Sequence, residues 1–356
     1  MKFSKFDIGG EIISILTRGM YPDPKDAIRE YIQNGIDAQS TKIFVKVGQD
    51  SVIIKDVGNG MDQKTMRNAL RVGVSDKIPS KDVGFMGIGI YSSFHLCDTL
   101  TIYSKKGISP NKLEIDFRGM RELLEQEKEL RLNSQIESDE ITDLQSLLEK
   151  HIYVSNDGDL KMEDYPLEGT RVEMTGISPV FYSELSDFNK LATYIQEVIP
   201  LRFDSENFMW GKIIEDHIAT ICSDHNAKFE LVDINLQVHN KSKDLFKPYH
   251  NDDFSNSKPL EPIFQEIKDR NLFFGVAWGC LNSIRRKISK RHLRGFLLKK
   301  QGFALGKREN LVKYFPRANA YFDRYIGEIV VVHNELLPNA SRSDLEYSGM
   351  RTLFYD

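Results

Sequence analysis

Apolar residues recur at a helical interval early in the chain: Ile28, Ile32 and Ile36 fall at i, i+4 and i+8 and line one stripe of a helix. Asp23 is a cap for that helix and Pro24 suits its first turn, where the amides have no intrahelical partner. A shorter helix over residues 9–19, closing at Gly19, precedes it. The period then changes to two. Residues 42–47 (KIFVKV) alternate as a strand, 51–55 form a second, and Gly48-Gln49-Asp50 supplies a hairpin turn between them. Residues 62–83 begin as a helix and become a polar loop, and the glycine-spaced run from Gly84 opens a further apolar helix. Strands follow over 99–105, 112–117 and 169–174, then helices over 180–203 that end at Pro200. The second half carries strands over 229–238, 272–280, 295–303 and 325–332, with a short helix over 308–314.

Residues 121–150 break this rhythm. Charged side chains dominate, and only Ile141, Leu144 and Leu148 give a thin helical stripe, so one or two helices are inserted between sheet strands there. At 356 residues the chain suits two domains, with the boundary expected at about 205. It is 40% hydrophobic and 28% charged, with a net charge of −4, which points away from a general polyanion binder. Cys97, Cys222 and Cys280 are too few and too scattered for a disulfide framework or a metal cluster. No apolar run approaches ~18 residues and the N-terminus has no apolar signal core, so a cytoplasmic protein without a membrane span is expected.

The chemistry concentrates in the first ~90 residues and in a few later positions. Glu30 and Asn34 are neighbours on one face of the key helix, with Asp37 close to it. A carboxylate there can polarise a water as a base, and an amide oxygen is a hard ligand suited to Mg²⁺. Standing alone, such a pair is what any solvated helix face shows. Likewise, Asp56-Val57-Gly58-Asn59-Gly60-Met61 after a strand is what a surface turn shows. Their order is more telling. Ser75-Asp76-Lys77 comes next, then Gly84-Phe85-Met86-Gly87-Ile88-Gly89, then Gly169-Thr170 opening a strand.

That ordered set resembles the GHKL ATPase superfamily of gyrase, the ninety-kilodalton heat-shock chaperone, histidine kinases, MutL and MORC proteins. The heat-shock branch is the nearest in pattern, over about residues 10–105 and again at Gly169-Thr170. The resemblance implies an α/β fold, a two-layer Bergerat-type sandwich over 1–205, followed by an α+β transducer or middle-like domain over 206–356. It implies Mg²⁺-dependent ATP hydrolysis with Glu30 activating water and Asn34 holding the metal. Nucleotide contacts are implied for Asn34, Asp37, Asp56, Gly58, Gly60, Met61, Lys77, Gly84, Gly87, Ile88, Gly89 and Thr170. Within these, Asp56 and Thr170 would read adenine, the glycines would face phosphates, and Lys77 in a lid would reach them. The spacing is neither a Walker loop nor a Rossmann turn.

Leu336-Leu337-Pro338-Asn339-Ala340-Ser341-Arg342 resembles the heat-shock middle-domain loop, which implies that Arg342 reaches the γ-phosphate. Lys299 and Lys300 are rivals for that role in the MutL and gyrase manner. Two partner classes stay open: a protein client of a chaperone-like clamp, or nucleic acid held by a MORC- or MutL-like clamp, with a homodimer forming on ATP binding. Residues 283–308, with ten Arg or Lys and no Asp or Glu, favour the second, while the Asn339-Ala340-Ser341-Arg342 loop and the Tyr91-Ser92-Ser93-Phe94 segment favour the first. A module that holds ATP without hydrolysing it is a third class, which Glu30 argues against. The 356-residue chain is too short for a full heat-shock chaperone, so a fragment or a reduced relative is expected.

Overall fold

The computed structural model describes residues 8–74, 87–107, 109–137, 140–155, 166, 168–283, 286–314 and 321–356. Among these, the chain forms two compact units: residues 8–74, 87–191 and 235–243, and residues 192–234 and 244–356.

The first unit starts with α1 (Ile12–Met20), α2 (Pro24–Asp37), β1 (Lys42–Val47), β2 (Ser51–Asp56) and α3 (Gln63–Ala69). It continues through β3 (Thr99–Lys106), β4 (Ser109–Asp116), α4 (Phe117–Leu132), α5 (Leu144–His151), β5 (Ile152–Ser155), β6 (Gly169–Thr175) and α6 (Pro179–Leu185). α7 (Phe188–Val198) follows, and the hairpin of β7 (Asp233–Val238) and β8 (Lys241–Leu245) completes an eight-stranded sheet in the order β5-β4-β3-β6-β2-β1-β7-β8. From β1 across to β5 the pairs are antiparallel, as between Ile54 and Val172 and between Ile102 and Val172.

Burial alternates along β1 and β2, so Ile43, Val45 and Val47 with Val52 and Ile54 face one side. α2 lies on that side, with Ile28 and Ile32 fully buried, which is the two-layer α/β arrangement. Gly35 sets the closeness of the contact: a Cβ there would come within 3.0 Å of both Asp56 Cβ and Ile43 Cδ1. The helix starts where its cap places it, since Asp23 accepts from the Lys25 amide and Asp26 accepts from the Asp23 amide. The charged stretch after β4 forms the two helices α4 and α5 between β4 and β5.

Two elements differ from their expectations. The strand expected over 295–303 is an antiparallel pair, Gly295–Lys300 and Phe303–Leu305, turned at Gln301-Gly302. The segment after Gly87 is not an α-helix but a 3-10 turn over Gly89–Tyr91 followed by further tight turns, with the Phe94 amide on Tyr91 O and the Leu96 amide on Ser93 O. Ile90, Tyr91, Ser92, Ser93 and Phe94 are β-branched, aromatic or hydroxyl residues with little helix preference. Tyr91 and Phe94 are nevertheless fully buried.

In the second unit, α8 (Gly211–Asp224) precedes a mixed five-stranded sheet. Its strands are β9 (Ile263–Asp269), β10 (Leu272–Leu281), β11 (Gly295–Lys300), β12 (Phe303–Leu305) and β13 (Tyr325–Val331), in the order β12-β11-β13-β10-β9. β11 runs parallel to β13, while the other pairs are antiparallel. Every residue of the central β13 is buried, because core lies on both faces. One core gathers Phe203, Phe208, Tyr249 and Trp278 with α8; the other gathers Phe274, Leu298 and Ile329 with Phe354 of α9 (Gly349–Tyr355).

Candidate functional site

α2 presents Glu30, 4% exposed, and the half-buried Asn34 and Asp37. The turn at Gly89 comes directly against the first two. A Cβ on Gly89 would sit 3.0 Å from Glu30 Oε2 and 4.0 Å from Asn34 Nδ2, so bare backbone is what lets this turn meet the helix. Tyr31 locks that meeting from behind. Its hydroxyl donates to Ile90 O at 3.0 Å and lies 2.7 Å from Ser93 Oγ. Gly87 needs its glycine for a different reason: φ is +66° and a Cβ would lie 2.6 Å from the Val74 amide nitrogen. Its carbonyl accepts from the Gly73 amide, and Ile88 beside it is buried. Ser75, Lys77 and Gly84 lie outside the described residues.

The other end of the site is built around Asp56, at the C-terminal end of β2. Its Oδ1 accepts from the Gly58 amide at 2.8 Å, and the Thr170 amide also donates to the carboxylate. Burial pushes this carboxyl up to about 6, and the two amides only partly offset it. Gly60 has φ of +64° and passes so close to Lys105 that a Cβ would lie 2.1 Å from the Lys105 carbonyl oxygen. The Met61 amide donates to Ser104 Oγ at 2.7 Å, and Ser104 Oγ is 2.9 Å from Thr170 Oγ1. Asn111 Nδ2 donates to Met61 O at 3.1 Å, which fixes the same backbone from its other side.

The structure therefore brings Glu30, Asn34 and Gly89 together, and Asp56, Gly58, Gly60, Met61 and Thr170 together. Ser104, Asn111 and Tyr31 hold these groups and were not singled out in the sequence. Ser104 left a readable signal. It continues the inward-facing series Leu100, Ile102 of β3, and a hydroxyl at an inward position needs a partner. Among the described residues no group of three or more His, Cys, Asp or Glu side chains is arranged to hold a metal ion.

In the second unit Arg342 is half-buried, with φ of +52°, in a loop closed by Asn339. Asn339 Oδ1 accepts from the Ser343 amide at 2.9 Å, and Arg342 O accepts from the Gly306 amide at 2.9 Å. Lys299 and Lys300 have other partners. Lys299 is fully buried and paired with Glu328 at 3.2 Å, and Lys300 Nζ donates to His333 O at 2.6 Å. Burial pushes each ammonium down to about 7. Glu328 also accepts from Lys247 at 2.8 Å and from the Tyr249 hydroxyl at 3.0 Å. The basic run is not one surface. Lys299, Lys300 and Arg308 are buried, Lys287 pairs with Asp323, and Lys290 pairs with Asp253.

Comparison with known proteins fits this geometry. Residues 22–151, the stretch holding α2, Asp56 and the glycine turn, match the family described as histidine kinase-, DNA gyrase B-, and HSP90-like ATPase. Residues 22–151 carry a GHKL domain. Its curated relatives include the chaperone protein HtpG of Rickettsia akari, 30% identical over 29% of this chain and 22% of HtpG. The DNA mismatch repair protein MutL of Azorhizobium caulinodans is 30% identical over 27% of this chain and 17% of MutL. The chain thus spans less than a quarter of the length of either relative. A crystal structure of the N-terminal domain of a DNA repair protein superposes with a TM-score of 0.51 at 13% identity, covering 96% of this chain and 94% of that one. This shows that the fold extends beyond the GHKL domain into the second unit. No helix among the described residues is long and apolar enough to cross a membrane.

Proposed function

We propose that the chain is a Mg²⁺-dependent ATPase whose first unit binds the nucleotide and whose second unit is a transducer. The observation that carries this reading is the approach of Gly89 to Glu30 and Asn34, which sets a bare backbone turn 3.0 Å, measured from a Cβ position, from a buried carboxylate. Glu30 is the base for the attacking water. Asp56 accepts from the adenine amino group, with Thr170 and Ser104 keeping that end rigid. Gly58, Gly60 and Met61 form the close backbone wall around the base, and Asp37 lies at the mouth beside Asn34. Gly87, Ile88 and Gly89, together with Lys77 and Gly84, supply the phosphate side.

A Mg²⁺ ion fits the donor set. It takes one or two protein oxygens and fills its octahedron with phosphate oxygen and water, so the Asn34 amide oxygen suffices without a carboxylate cage. Bound there, the ion would neutralise charge developing on the phosphates. Arg342 supplies a further positive charge to the γ-phosphate from the second unit.

For the partner, the chaperone-like clamp on protein is the reading we favour, because the loop bearing Arg342 is held by its own hydrogen bonds and Lys299, Lys300 and Arg308 of the basic run are buried. A MutL-like clamp on nucleic acid is the alternative, resting on the MutL likeness and on the exposed Arg286, Arg291 and Lys307. In either reading, ATP binding closes the lid and brings about domain docking, dimerisation accompanies it, and the protein acts in the cytoplasm.

ATP turnover with Mg²⁺ and nucleotide affinity test the site together. Glu30→Ala is expected to bind ATP and stop hydrolysis, and Asp56→Asn to lose binding. An intact chain that neither binds nor hydrolyses ATP would overturn the reading. Duplex DNA binding followed against salt separates the partner classes, since a slope worth several phosphates requires a nucleic-acid clamp.

A further inference from the structure

Gln33 lies on α2 three residues after Glu30 and four before Asp37, so it shares a flank of the helix with both carboxylates. It is fully buried, and neither its Oε1 nor its Nε2 meets a hydrogen-bond partner among the described residues. A glutamine in that position has given up water at both ends of its amide and received nothing in exchange. Leucine or methionine would fill a similar volume without the loss. Tyr31 on the same helix is also buried, and its hydroxyl is hydrogen-bonded to Ile90 O and close to Ser93 Oγ. An unused buried amide calls for a state of the molecule in which it is used. The neighbour with the matching chemistry is the Glu30 carboxylate.

We propose that Gln33 is a positioning residue for the hydrolytic step, its amide N–H donating to the Glu30 carboxylate when nucleotide is bound and fixing which carboxylate oxygen faces the water. The proposal rests on the ATPase reading and adds a residue to it. A donor from the flank restrains the rotation of the Glu30 side chain without itself touching substrate.

The test compares Gln33→Leu with the intact chain in three measurements: steady-state turnover, affinity for a non-hydrolysable ATP analogue, and the thermal midpoint without nucleotide. The expected result is a kcat lower by about tenfold or more with analogue affinity unchanged, and a midpoint that rises because a buried unsatisfied amide has gone. In the Glu30→Ala background the same substitution should leave the residual single-turnover rate where it was, because Gln33 acts through Glu30. Gln33→Met is the second variant should leucine not fold, and it has the same expected outcome. An unchanged kcat in either variant overturns the role of Gln33 while leaving the ATPase reading intact. An intact chain that binds ATP without turning it over removes the hydrolytic step, and this proposal goes with it.

Discussion

Asp56 has lost most of its water to burial, and the amides of Gly58 and Thr170 return only part of what the charge requires. Its folded value of about 6 lies above the ordinary 3.8, so the folded chain holds this proton more tightly than the unfolded chain does. The resulting stabilisation is fully present below about pH 4 and is lost as pH rises through 6, a change on the order of 2 kcal/mol. Urea unfolding of the wild type and Asp56→Asn from pH 4 to 7 should show the wild type weakening relative to the variant by that amount. A difference that stays constant with pH would count against the buried-carboxyl account. Gly89 makes a second prediction. With Glu30 Oε2 only 3.0 Å from where a Cβ would sit, Gly89→Ala should displace the carboxylate, cutting turnover by about tenfold while barely moving the thermal midpoint. Full turnover in that variant would mean that the approach of the turn to Glu30 has no part in the reaction.

At the scale of elements, α2 does its work through what it is tied to. The Tyr31 hydroxyl bridges it to Ile90 and Ser93 in the turns after Gly87. Tyr31→Phe should therefore cost about 1–2 kcal/mol in unfolding free energy and lower turnover as well, whereas an effect on stability alone would show that the turn keeps its place without the tether. Much of this element is readable in the sequence. The cap at Asp23, the four-residue apolar spacing and the alternation in β1 and β2 are local signals, and each appears in the structure as its pattern implies. The glycine segment was harder to read. Its apolar residues do face the core, but Ser92 and Ser93 and the β-branched Ile90 favour 3-10 turns over a longer helix, and their partners come from α2, far away in sequence. Ser104 and Asn111 show the same limit. Their roles depend on the pairing of β3 with β4 and β6, and a register between strands some 65 residues apart cannot be read from local pattern.

At the scale of the whole molecule, the second unit separates two kinds of charged residue that look alike in the sequence. Glu328 is surrounded by Lys247, Lys299 and Tyr249; burial alone would raise its carboxyl, but the two ammonium groups hold it well below the usual range. Glu328→Gln should leave those ammonium groups uncompensated and destabilise the second unit by about 3–5 kcal/mol, visible as an earlier urea transition. Arg342→Ala should instead leave stability and nucleotide affinity nearly unchanged and reduce turnover, and a variant as active as the wild type would exclude Arg342 from the reaction. The path of the chain has a consequence for how the protein is made. β7 and β8 complete the first sheet, yet residues 192–234 of the other unit come between them and the rest of it. As the chain leaves the ribosome, β1 waits with an open edge until Lys243 has emerged, roughly 10–40 s at ordinary synthesis rates. Unpaired strand edges invite other chains. A fragment ending near residue 205 would keep that edge open for good, and a nascent-chain chaperone arriving in the same interval would find it there.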